Sequence, residues 1–136
     1  MIRLGVVGYG RRIHGVIHHV IRQLEPELRV VGIVDPDEAG ARQRLAPCDQ
    51  ADAVFYPTLD ALVRRGRPDA LAIGTRCNLH APYAVQAARY DLPCGTQPHI
   101  SGEQCRDHAI KCKNPVCSSA PTGLRLLLHL HSLDIL

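Results

Sequence analysis

Three observations predict an α/β protein built on a doubly wound parallel sheet. An apolar run, Ile2-Arg3-Leu4-Gly5-Val6-Val7, stops at Gly8-Tyr9-Gly10 and then turns amphipathic. A β-branched run containing Val30, Val31, Ile33 and Val34 ends in Asp35-Pro36-Asp37. Beyond it, strand-like and helix-like stretches alternate to about residue 93. Strand, glycine turn, helix and strand make a βαβ unit, and repeating that alternation lays helices on both faces of a parallel sheet.

The elements follow in order. From Arg11 to Leu24 the residues Ile13, Val16, Ile17, Val20, Ile21 and Leu24 recur at three- and four-residue spacing, the stripe of a helix packed on a sheet. Pro26 stops it. Leu28 to Val34 is the dense apolar run of a strand buried on both faces. Residues 37 to 46 read as a short surface helix and Ala53 to Tyr56 as a short strand. Thr58 caps a helix through Leu59, Leu62 and Val63 that Gly66 closes. Ala70 to Ile73 is a further buried strand ending at Gly74-Thr75, and an alanine-rich helix runs from about Leu79 to Arg89.

With 136 residues, 46% of them hydrophobic, the chain has material for one domain with a real core. Sixteen basic against thirteen acidic residues leave a formal charge of +3, scattered rather than clustered, and only five side chains are aromatic. Neither a basic patch nor a stacking platform results, so nucleic acid is not an expected partner. The opening apolar run is one strand long and lacks a small-residue cleavage site, so neither a signal peptide nor a membrane span is read there. A soluble, cytoplasmic protein is expected. In that compartment the six cysteines are expected as thiols.

The chemistry centres on the glycine turn. The helix behind it points its first free N–H groups and its positive dipole end at any anion above the glycines, a pyrophosphate being the usual guest. Asp35 lies 27 positions beyond Gly8, at the tip of the second strand. A carboxylate there accepts hydrogen bonds from ribose hydroxyls and repels a 2′-phosphate, which favours NAD over NADP. The alternative is that Asp35 caps the helix beginning near Pro36.

Residues 2–46 and 70–93 together resemble the cofactor-binding half of the glucose-fructose oxidoreductase and inositol dehydrogenase family, Gfo/Idh/MocA. The resemblance rests on Gly8-Tyr9-Gly10, Val34-Asp35-Pro36-Asp37 and Thr75-Arg76-Cys77-Asn78-Leu79-His80 before the alanine-rich helix. It implies a Rossmann fold and a nicotinamide cofactor. It places Gly8 and Gly10 under the pyrophosphate, with Tyr9, Arg11, Arg12 and Ile13 lining the turn, and Asp35 on the adenosine ribose. Thr75, Asn78 and His80 fall in the loop after the fourth strand, beside the nicotinamide end; the alternative for His80 is a helix-start residue bonded to nearby backbone.

Two positions depart from that family pattern. Ile13 stands at the third glycine position, which is expected to relax the close helix-to-strand approach. Thr96-Gln97-Pro98 stands where the family carries Glu-Lys-Pro, and Gln97 donates a hydrogen bond but has no proton to transfer. The preceding Cys94-Gly95-Thr96 is short and poor in strand formers. Ser101 to Cys112 reads as the next helix, and residues 113–136 as a divergent, leucine-rich tail after a Rossmann domain over 1–112. The expectation is a truncated, catalytically impaired relative without its substrate-binding α/β domain. A non-enzymatic module is the alternative, associating through its sheet edge or tail with a second copy or a full-length relative. A methyltransferase ranks last, because Val6-Val7 replaces the acid expected before the glycines. The pairs His14/His18 and His129/His131 lack a third ligand at zinc-like spacing and are not assigned a metal.

Overall fold

The computed structural model of the chain describes residues 1–90, 92 and 94–96. Gln97, the helix expected over 101–112, the boundary at 112, the tail and the cysteines and histidines within them lie outside the described residues. Five strands, β1 (Arg3–Val7), β2 (Arg29–Val34), β3 (Val54–Phe55), β4 (Ala70–Ile73) and β5 (Cys94–Thr96), form one sheet in the order β3-β2-β1-β4-β5. Every pairing is parallel. The connections are α1 (11–24, Arg11–Val16 continuing through a wider π-type stretch Ile17–Ile21 to Arg22–Leu24), α2 (Glu38–Arg44), α3 (59–66) and α4 (Cys77–Ala87). The doubly wound parallel sheet expected from the alternation is therefore the observed fold, with β1 at its centre and the chain order reversing between β1 and β4.

Side chains divide between the two faces of the sheet by strand alternation, broken once in β2, where a register shift against Leu4/Gly5 brings Val30 and Ile33 to one face. Leu4, Val6, Val30, Ile33, Ala70 and Ala72 pack with Ile13, Ile17 and Ile21 of α1 and Ala41 of α2. On the other face Val7, Val34, Leu71 and Ile73 pack with Leu59 and Leu62 of α3 and Ala84 and Ala87 of α4. The α1 stripe thus lies as its spacing predicts. Leu62 sits in a hole made by two glycines paired across β1 and β2: a Cβ on Gly5 would lie 2.6 Å from its Cδ2, and one on Gly32 3.0 Å from its Cγ.

Several element ends differ from the expectations. Gly66 is still within α3, and Arg67 takes the left-handed conformation at φ 44° that stops it. The stretch Cys94–Thr96 does form a strand, pairing with Leu71–Ile73, because the neighbouring strand supplies a ladder that weak intrinsic propensity does not preclude. α4 begins at Cys77, ahead of the expected Leu79. Asp37, not Asp35, caps α2, its carboxylate accepting from Gly40 N at 3.0 Å. Among the described residues no helix is long and apolar enough to cross a membrane.

One tie has no counterpart in the pattern of apolar residues. Asp49 is fully buried, and its carboxylate accepts from Arg22 Nη2 at 2.6 and 2.7 Å and from Val30 N at 3.0 Å. It therefore joins the end of α1, the start of β2 and the turn over residues 47–52. Removing one partner of such a pair leaves an uncompensated charge, so Asp49→Ala is expected to lower unfolding stability by about 3–5 kcal/mol. Urea denaturation checks this; a midpoint within error of the parent would contradict it.

Candidate functional site

The carboxyl end of β1 is where three backbones meet. Gly8 has φ +78° and donates its N–H to Val34 O at 2.8 Å, while Gly74 N donates to Val7 O at 2.8 Å. A Cβ on Gly8 would lie 2.8 Å from Thr75 N, and the left-handed backbone alone disfavours any other residue. Gly10 is different. It caps α1 in an extended conformation, and a Cβ built on it meets nothing within 4 Å among the described residues. Gly8 is thus required by the fold, whereas Gly10 faces open space at the mouth of the turn.

Helix α1 starts there with its first internal bond, His14 N to Gly10 O at 3.1 Å. Among the described residues no side chain caps this end, and its first turn carries no acid but the exposed Arg11 and Arg12. Two cations beside the positive end of a helix dipole oppose the usual preference for acids at that position and suit a bound anion.

The expected loosening at Ile13 does not occur, and the reason is Gly74. Ile13 is buried, and a Cβ on Gly74 would lie 2.6 Å from Ile13 Cβ and 2.7 Å from Gly8 O. The missing side chain has moved to the facing strand end, so helix and sheet still approach closely.

Asp35 stands against the turn, as expected. Its Oδ2 accepts from Tyr9 N at 2.6 Å and its Oδ1 from Asp37 N at 2.7 Å. Each carboxylate oxygen has two acceptor positions, and among the described residues one on each remains for a further donor. Tyr9 departs from its expected role in lining a cofactor. Its side chain is fully buried in the α1 face of the core, and only its backbone belongs to the turn. Burial pushes the phenol from its usual value near 10 up to about 12, with the Asp49 charge adding to it.

The Tyr9 hydroxyl shares a hydrogen bond with His14 Nδ1 at 3.3 Å, and His14 lies beside His18 with ring centroids 4.6 Å apart and planes tilted by 51°. His18 Nε2 lies 3.3 Å from Arg22 Nη1. Both imidazoles are therefore held towards the neutral form, His14 by burial and then by His18, His19, Arg22 and Arg44. For His18 the causes are burial and then Arg22, opposed by Asp49. The pattern of apolar residues did not reveal this row, though the i, i+4 spacing of His14, His18 and Arg22 on one helix carries it. Among the described residues no group of three or more His, Cys, Asp or Glu side chains is arranged to hold a metal ion.

Thr75 lies in the loop after β4, directly beneath Gly8, so the turn, Asp35 and Thr75 come together at one end of the sheet. Asn78 and His80 are in the first turn of α4 rather than in the loop, because the helix starts at Cys77. Asn78 is exposed there; the His80 side chain lies outside what is described.

A family model described as an oxidoreductase family with an NAD-binding Rossmann fold, GFO_IDH_MocA, matches residues 2–93. The WlbA dehydrogenase from Bordetella pertussis, crystallised with NADH and UDP-GlcNAcA, is 26% identical with a TM-score of 0.63, covering 82% of this chain and 33% of that one. The myo-inositol dehydrogenase from Lactobacillus casei, in complex with NAD(H) and myo-inositol, is 21% identical with a TM-score of 0.63 over 82% and 33%. UDP-N-acetylglucosamine 3-dehydrogenase GnnA from Acidithiobacillus ferrooxidans is 22% identical with a TM-score of 0.60 over 82% and 35%. The last two show a shared fold, and the chain spans about a third of the length of all three. No curated protein matches the sequence significantly.

Two outcomes follow from this geometry. Gly74→Ala forces Ile13 or the Gly8 carbonyl to move, and is expected to destabilise the fold by about 1–3 kcal/mol; an unchanged melting temperature would contradict the close approach. The unfolded chain takes up protons on His14 and His18 nearer pH 6.5, while the folded chain resists them. Stability from these groups is therefore complete above 6.5 and lost as pH falls below it. A melting temperature that declines as pH falls below about 6.5, and declines less in the His14→Gln/His18→Gln variant, is the expected result.

Proposed function

This chain belongs to the Gfo/Idh/MocA oxidoreductase family, an NAD-binding Rossmann fold, and from that membership we propose that it holds NAD across the carboxyl end of its sheet. The pyrophosphate lies over Gly8, Gly10 and the start of α1, where Arg11, Arg12 and Ile13 contribute the first turn. The carrying observation is Asp35, anchored by Tyr9 N at the edge of the turn with an acceptor position left on each oxygen. Those positions suit the two hydroxyls of the adenosine ribose, and the carboxylate charge favours NAD over NADP. The open space at Gly10 and the absence of an acid in the first turn of α1 are what a pyrophosphate requires.

Thr75, Asn78 and His80, at the junction of β4 and α4, line the nicotinamide end in this reading. Tyr9 contributes its backbone alone. A bound nicotinamide supplies the hydride acceptor or donor; the chain supplies orientation and charge. Gln97 stands at the position of the family lysine and offers a hydrogen bond without a proton. We accordingly assign this chain cofactor binding without turnover of the polyols or nucleotide sugars on which dehydrogenases of this kind act.

Cofactor that binds only the folded state must raise the melting temperature, by about 2.7 kcal/mol of stability at one hundred times Kd. Thermal-shift titration with NAD is expected to show that rise, and Asp35→Asn to weaken NAD by about tenfold through loss of charged hydrogen bonds. No shift at millimolar NAD would remove the reading. Reduced nicotinamide formed from NAD and a polyol by the pure chain would refute the assignment of binding without turnover.

A further inference from the structure

We propose that Arg44 receives a 2′-phosphate at the adenosine corner, so that the site admits NADP alongside its preferred NAD. The proposal rests on the cofactor reading above and concerns its specificity. Helix α2 ends with two arginines that behave differently. Arg42 faces outward, bonded to Glu38 at 2.6 and 2.9 Å and lying 4.5 Å from the Phe55 ring centroid, with 56% of its side chain exposed. Arg44 turns back along the helix and is only 26% exposed. Its Nε donates to Tyr9 O at 3.1 Å, and its Nη2 lies 3.7 Å from Asp37 Oδ2.

The route taken by this side chain is built in. Arg44 Nη1 would lie 3.1 Å from a Cβ placed on Gly40, and the same Cβ would collide with the Asp37 carboxylate. A glycine at position 40 thus lets Asp37 cap the helix and lets Arg44 pass over it towards the turn. Tyr9, whose carbonyl holds Arg44, is also the residue whose N–H holds Asp35. A guanidinium is consequently fixed one peptide unit from the carboxylate assigned to the ribose.

A guanidinium carries five N–H donors in a planar fork matched to phosphate oxygens. Among the described residues one is used at Tyr9 O, and the 3.7 Å approach to Asp37 is an ion pair too long to use another in a hydrogen bond. The 2′-hydroxyl of NAD meets Asp35. A 2′-phosphate meets the repulsion of Asp35 and the attraction of Arg44 together, so the two residues set the cofactor ratio against each other.

The test measures Kd for NAD and for NADP with the full chain, by calorimetry, in the parent and in Arg44→Gln, Arg44→Lys and Asp35→Asn. The parent is expected to bind NADP within about tenfold to thirtyfold of NAD, and Arg44→Gln to weaken NADP about tenfold while moving NAD by less than about threefold. Arg44→Lys, which keeps the charge and loses the fork, is expected to fall between them, and Asp35→Asn to move the ratio towards NADP. Should Arg44→Gln not fold, Arg44→Lys and Asp35→Asn still decide the matter through the ratio. A ratio indifferent to Arg44 while NAD binds overturns this inference alone. Failure of the parent to bind either dinucleotide overturns the cofactor reading beneath it.

Discussion

At the carboxyl end of β1 there is no room for one additional carbon atom. Gly8 lies against Gly74 and Thr75, and Gly74 in turn lies against Ile13 and the Gly8 carbonyl. This contact sets how far α1 stands from the sheet, and so where its first turn points. The turn, the tip of β2 and the loop after β4 are brought to one place by it. A glycine fingerprint is usually read along the chain, as three small residues in one turn. Here the third small position is supplied across space by Gly74, and an isoleucine fills its place in the turn.

The acidic tip of β2 is the second determinant. Asp35 joins two backbone N–H groups from different segments, while Asp37 caps α2 and receives Arg44. The division of labour separates a carboxylate that faces the turn from one that organises the helix. The alternative reading of Asp35 as a helix cap is overturned by this: the cap is the residue two positions later.

Tyr9 and Asp49 link the site to the core. Tyr9 gives its backbone to the turn and its ring to the packing beneath, where its hydroxyl meets His14. From there His18 and Arg22 continue along α1 to the buried Asp49, which also holds the start of β2. A polar row therefore runs under the helix whose other end is assigned to the pyrophosphate. Burial first, and then neighbouring cations, hold its histidines' pKa values below the usual 6.5.

The sequence by itself determined the parallel α/β fold and the place of the turn, because apolar periodicity and a glycine at positive φ are local properties of consecutive residues. It also located Asp35, since a strand end followed by Asp-Pro-Asp is visible in one dimension. Only the tertiary structure decided which of two aspartates caps α2, that the Tyr9 ring faces inward, and that Asp49 is buried with Arg22. It likewise showed that Gly74 stands in for a glycine missing from the turn and that Arg44 folds back to Tyr9. The cap is a choice between two aspartates that the local sequence serves equally well, and the other contacts join residues 26 to 66 positions apart across packed elements, which leave no period in the sequence to read.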